Sequence, residues 1–106
     1  MSRSLRARRA ADGGSQVVVE HESRTLFLLL AEFGTGHIPV ERCAHHFGMS
    51  PEEAKNAARR QQLPVPAFRL GSQKSPWLVS AQELANLIDE RARRARDDWS
   101  RVQGAA

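Results

Sequence analysis

GMSPEEAKNAARRQQLPVPAFRLGSQKSPWLVS, residues Gly48–Ser80, holds the strongest local signals in the chain. Ser50-Pro51-Glu52-Glu53 has the capping-box pattern: a serine to cap the backbone, proline at the first helical position, and glutamate three residues after the serine. The pattern predicts a helix from Pro51 to about Gln62. Ala54, Ala57 and Ala58 give it a small apolar face suited to close approach by a neighbour. Glu52, Lys55, Asn56, Arg59 and Arg60 are left facing outward. Pro64 and Pro66 forbid further helix. Ala67-Phe68-Arg69-Leu70 then alternates, with Phe68 and Leu70 on one face and Arg69 on the other. The polar turn Gly71-Ser72-Gln73-Lys74-Ser75 and the run Pro76-Trp77-Leu78-Val79 complete a predicted hairpin.

Upstream, His37-Ile38-Pro39-Val40 reads as a short extended lead-in. Glu41 to Phe47 reads as a short helix with Val40, Ala44 and Phe47 on one side, and Gly48-Met49 as a tight turn. Two short helices joined by such a turn have the spacing of a helix-turn-helix. In that motif the second helix enters the major groove. Asn56 can bond adenine and Arg59 guanine, each through two hydrogen bonds. Lys55 and Arg60 serve equally for phosphates, which position without specifying. Free N–H groups after Ser50 can take one phosphate more. Glu52 either reads cytosine N4 or complements the helix dipole. The Gly/Ser/Gln/Lys tip beside such a motif is how a wing is built. The expected fold is therefore mainly α with a small β-hairpin, a winged helix-turn-helix, and the expected partner is double-stranded DNA.

The rest of the chain fits one small domain. It has 106 residues, 16 basic and 12 acidic, for a net charge of +4, which favours anionic partners. No apolar run approaches the roughly 20 residues that span a bilayer. One cysteine, Cys43, excludes an internal disulfide and fits a reducing cytosol. Residues 1–21 read as a flexible basic arm, 22–96 as the DNA-binding domain and 97–106 as a C-terminal tail. Leu26, Leu29, Leu30 and Phe33 share one stripe of a helix over 25–33 that Gly34 and Gly36 stop. That stripe serves either the protein's own core or a homodimer contact. Ser80-Ala81-Gln82-Glu83 resembles a second capping box, and Leu84, Leu87 and Ile88 begin the stripe of a last helix. Cys43, His45 and His46 stand close in sequence, but adjacent histidines diverge by about 100° on a helix and do not easily share an ion. Carboxylates pair only as neighbours. No enzymatic activity, metal or cofactor is expected.

The stretches TLFLLLAEFG, IPVERCAHHFGMSPEEA and LPVPAFRLGSQKSPWLVSAQELANLIDERA resemble the pyocin activator protein (PrtN) family of bacterial transcriptional regulators, over roughly Thr25 to Arg94. The order of elements is also similar to the excisionase and MerR-like winged helix. The family resemblance implies a cytoplasmic activator of phage-tail-like bacteriocin or prophage genes that binds a short repeated promoter box and contacts RNA polymerase. Carried onto this chain, Pro51–Gln62 is the reader, and Arg69, Ser72, Gln73 and Lys74 belong to the wing. Two other readings share these features. One is an excisionase-like protein that bends DNA. The other is an adaptor that binds a protein partner through the Leu26–Phe33 helix.

Overall fold

The computed structural model describes residues 24–105, so the basic arm expected over 1–21 lies outside the described residues. Helix α1 occupies 24–33. Strand β1 (His37–Pro39) leads into α2 (Val40–Cys43), which tightens into a 3-10 turn over Ala44–Phe47. Helix α3 (Pro51–Arg59), strands β2 (Ala67–Phe68) and β3 (Leu78–Ser80), and helix α4 (Ala81–Ala105) follow. The molecule is mainly helical with a three-stranded antiparallel sheet in the order β1-β3-β2. Ile38 and Ala67 both face Val79, from opposite sides. The segment expected as an extended lead-in is thus a paired strand.

One apolar cluster joins all the elements. Leu29 and Phe33 of α1 meet Ile38, Val40, Cys43, Ala54, Ala58, Val79, Leu84 and Ala85. Of the stripe expected to serve either the core or a homodimer contact, Leu26, Leu29, Leu30 and Phe33, the core takes up Leu29 and Phe33, with Leu26 packed against it. Leu29 and Phe33 are only 4% and 6% exposed because the protein's own core uses them. The large apolar side chains α1 leaves exposed are Phe27, Leu28 and Leu30. Helix α1 is further tied at both ends. Thr25 Oγ1 donates to Asp89 Oδ1 of α4 at 2.6 Å, and Arg42 Nη1 donates to the Phe33 carbonyl at 3.1 Å.

Three other boundaries differ from expectation. Helix α3 stops at Arg59, because Gln61 takes a left-handed φ of 56° and its Nε2 donates to the Ala67 carbonyl at 3.3 Å. Strand β2 stops at Phe68, so Leu70 stands exposed instead of sharing a buried face. The residues after Arg96, expected as a tail, continue α4 through Ala105, where Arg93–Asp97 and Arg101–Asp98 ion pairs lie along its surface.

The capping box is formed. Ser50 Oγ accepts from the Glu53 N–H at 3.1 Å, and Glu53 Oε1 accepts from the Ser50 N–H at 2.8 Å. Those bonds, the one from the Ser50 backbone first, hold the Glu53 carboxyl below its ordinary value. The fold therefore prefers the ionised form. Its contribution is present above the unfolded-state value and is lost as pH falls through the folded one. Glu53→Ala is expected to lower the thermal midpoint at pH 7, and the gap to wild type should close as pH drops below about 4. Ser50→Ala should cost about 1 kcal/mol at pH 7 and keep part of that cost at pH 3, because the bond from the Glu53 N–H to its Oγ does not depend on the carboxylate. Circular-dichroism melts at pH 7 and pH 3 distinguish the two behaviours.

Cys43 lies wholly inside the core, and burial pushes its thiol up to about 11. A thiol so protonated is a poor nucleophile and metal ligand. An aromatic disulfide reagent is expected to label it only in denaturant; prompt labelling of the native protein would contradict this placement.

Candidate nucleic-acid interface

Helix α3 is aimed by the turn before it. Gly48 takes a left-handed φ of 72°, and the Met49 N–H closes onto the Ala44 carbonyl at 3.1 Å. A side chain at Gly48 would be strained whatever the space around it. Ala54, Ala57 and Ala58 then turn inward against α2 and the core, as their spacing predicted. The small residues let the two helices lie close, and every large polar side chain of α3 is left on the outer surface.

That outer surface carries two ridges. Glu52, Lys55 and Arg59 form one; Glu53, Asn56 and Arg60 form the other. Lys55 Nζ sits 3.8 Å from Glu52, and Arg59 Nη1 donates to Asn56 Oδ1 at 2.9 Å, which bridges the ridges. Asn56 and Arg60 line a hollow of about 240 Å³ on one side of the helix, with Met49 and Gln62. Lys55 and Arg59 look the other way.

On that second side they meet the 69–77 loop. Lys55 and Arg59 share a cleft of about 370 Å³ with Arg69, Gln73, Lys74 and Trp77. The loop is held by its own serines. Ser72 Oγ accepts from the Lys74 N–H at 3.4 Å, and Ser75 Oγ donates to the Ser72 carbonyl at 2.6 Å while accepting from the Gly71 N–H at 3.2 Å. Ser72, expected among the contact residues, is thus engaged in shaping the loop, whereas Gln73 and Lys74 are exposed at its tip. Arg69 lies over the Trp77 ring, 4.4 Å from its centroid, a cation–π contact at the base of the loop. Trp77 in turn packs on the core, and its carbonyl accepts from the Val40 N–H at 2.9 Å.

Sequence reasoning missed Glu41, which also lines this cleft. Its Oε1, the Arg69 Nε and the Trp77 Nε1 are buried without a hydrogen-bond partner among the described residues. A polar atom left so costs about 1–3 kcal/mol. Only the pairing of β1 with β3 brings Glu41 here, and no local pattern announces it. The geometry also corrects the reading of His45 and His46. In the 3-10 turn over Ala44–Phe47 their rings lie 4.5 Å apart, and the two Nε2 atoms stand 3.4 and 3.5 Å from the Glu32 carboxylate. Adjacent histidines converge here, with Phe33 packed against both.

No curated protein and no solved structure is matched by the chain. A family model is: that of the pyocin activator protein PrtN, over residues 25–95. The matched residues run from the second residue of α1 to the middle of α4, and so include both ridges, the loop and the cleft between them. The chain belongs to the pyocin activator protein PrtN family, a family of transcriptional activators and not an enzyme class, which gives it a role in switching on transcription.

Proposed function

We propose that the protein is a winged helix-turn-helix activator, in which α2 and α3 are the helix-turn-helix and the 69–77 loop is the wing. The observation that carries this reading is the shared cleft: Lys55 and Arg59 of the second helix and Gln73 and Lys74 of the loop line one concavity. A double helix approaching that side meets both at once. Helix α3 enters the major groove, with Lys55, Asn56 and Arg59 toward base edges. Arg60, Lys74 and the N–H groups following Ser50 take phosphates. Glu52 pairs with Lys55 and complements the positive end of the helix. Arg69 acts through Trp77, fixing the angle of the wing, and Ser72 keeps the loop's shape. The targets are promoter boxes of phage-tail-like bacteriocin or prophage genes, with RNA polymerase as the second partner. Among the described residues no helix is long and apolar enough to cross a membrane.

Binding must break the bond between Arg59 and Asn56, so the two side chains should fail together on a matched site. Arg59→Ala is expected to cost about 1–3 kcal/mol on the matched box and much less on a scrambled duplex. Lys74→Ala should weaken both duplexes alike and reduce the salt slope by about one unit. Fluorescence anisotropy at several salt concentrations reads both. If the two variants behave identically on the two duplexes, the roles are wrongly assigned. Excision of a prophage without promoter activation would move the protein to the DNA-bending class instead.

A further inference from the structure

Among the described residues nothing packs against the second half of α4. Residues 91–104 are exposed without exception, although the helix runs unbroken for 25 residues. Trp99 is 57% and Val102 68% exposed. Helices of about 12–15 residues are marginal in water by themselves, so a segment of this length usually owes its order to packing. Its sequence is built for packing. Ile88, Ala92, Ala95, Trp99 and Val102 recur at intervals of four, three, four and three, the seam of a two-helix coiled coil.

Charge fixes the direction. If Ala92 faces Ala95 of another α4 running the opposite way, Ile88 faces Trp99. The exposed flanking positions Arg91 and Asp98 then meet as opposites. In a parallel pair Arg91 faces Arg96, a like-charge contact. The central alanines permit close approach of the two backbones. Where α4 leaves the body there is also a receptacle: a cleft of about 390 Å³ lined by Phe47, Met49, Pro64, Leu84, Leu87 and Ile88. Arg91 stands at its edge. Trp99 of an antiparallel second copy arrives opposite Ile88, at this cleft, where a tryptophan can bury about 150–250 Å².

We propose that the protein is a homodimer held by an antiparallel α4 pair, with Trp99 of each copy seated in the Phe47–Ile88 cleft of the other. The surface differs from the α1 stripe, and the inference does not use the DNA reading, so either can fail alone. Sedimentation equilibrium of the full chain at micromolar concentration should give twice 11.8 kDa. Trp99→Ala should give 11.8 kDa with the helical circular dichroism retained, since the side chain is external to the monomer core. Asp98→Arg should raise the dissociation constant about tenfold or more by placing two arginines together. Adding Arg91→Asp should restore it to within about threefold, because only the antiparallel register joins those two positions. A monomeric wild type, a Trp99→Ala variant that remains dimeric, or failure of the double charge reversal to restore assembly would each overturn the proposal. So would a wild type that stays monomeric and gains mass only with RNA polymerase, which would assign this face to the polymerase.

Discussion

Strand β3 is three residues long, and the rest of the arrangement depends on it. Its backbone pairs with β1 on one side and β2 on the other, and the bonds continue past its ends. Val40 N–H reaches the Trp77 carbonyl before it, and Ala81 N–H reaches the Gly36 carbonyl after it. Strands this short are not stable alone. They persist because Val79 is wholly buried between Ile38 and Ala67 while Leu84 and Ala85 of α4 cover the same cluster. The strand therefore links the first helix pair, the loop and the long helix in a single packing event. Loss of β3 pairing would release the 69–77 loop from α3, and with it the cleft.

The cleft's electrostatics follow from that linkage. Four cationic side chains and one carboxylate are gathered there, yet Glu41 forms no ion pair among the described residues. Arg69 is stacked on an indole in place of a carboxylate. With Glu52 also 3.8 Å from Lys55, two carboxylates stand against four cations, and the net positive charge that remains is favourable toward a polyanion. By contrast, the cations of α4 are largely neutralised on their own helix: Arg93 and Arg94 both reach Glu90, whose carboxyl is held below its ordinary value by them, Arg93 foremost. Net charge alone did not separate these two populations; their placement does.

What was legible in the sequence was local. Ser50, Pro51 and Glu53 announce the start of α3 because a cap involves only neighbouring residues, and the inward alanines follow from helical period. The cation-rich helix and the loop tip were likewise visible as residue types. What was not legible depended on distant pairing or on departures from ideal helix. Nothing near His37 says that it will lie beside Ser80, so the sequence alone indicates only an extended lead-in there and does not place Glu41. The backbone angle separates His45 from His46, yet both side chains reach the Glu32 carboxylate, and the angle between adjacent residues does not register where long side chains end. Leu70 alternates correctly with Phe68, yet the strand ends between them, and alternation carries no information past a strand's last hydrogen bond. The arginine run followed by Asp97-Asp98-Trp99 reads as a fraying end, whereas the helix continues to Ala105.

The size of α3 bears on the assembly. Nine helical residues extend about 13 Å, enough to present two or three side chains to base edges. Each good bidentate contact discriminates by about 1–3 kcal/mol. A bacterial chromosome offers on the order of a million or more competing sites, which calls for several kcal/mol beyond that sum. On the proposed reading, one copy with Asn56 and Arg59 toward bases would fall short, and a wing whose Lys74 met phosphate would add affinity without much sequence content. Two copies double the readout without a new contact type, provided their helices are held at a fixed separation. A flexible tether would not supply that. A stiff helix crossing its twin would, since α4 begins at β3 and its direction is set by the same strand that sets the cleft. On this argument the spacing of the DNA half-sites is encoded in the length of α4 between Leu84 and the crossing at Ala92 and Ala95, far from any residue that touches DNA.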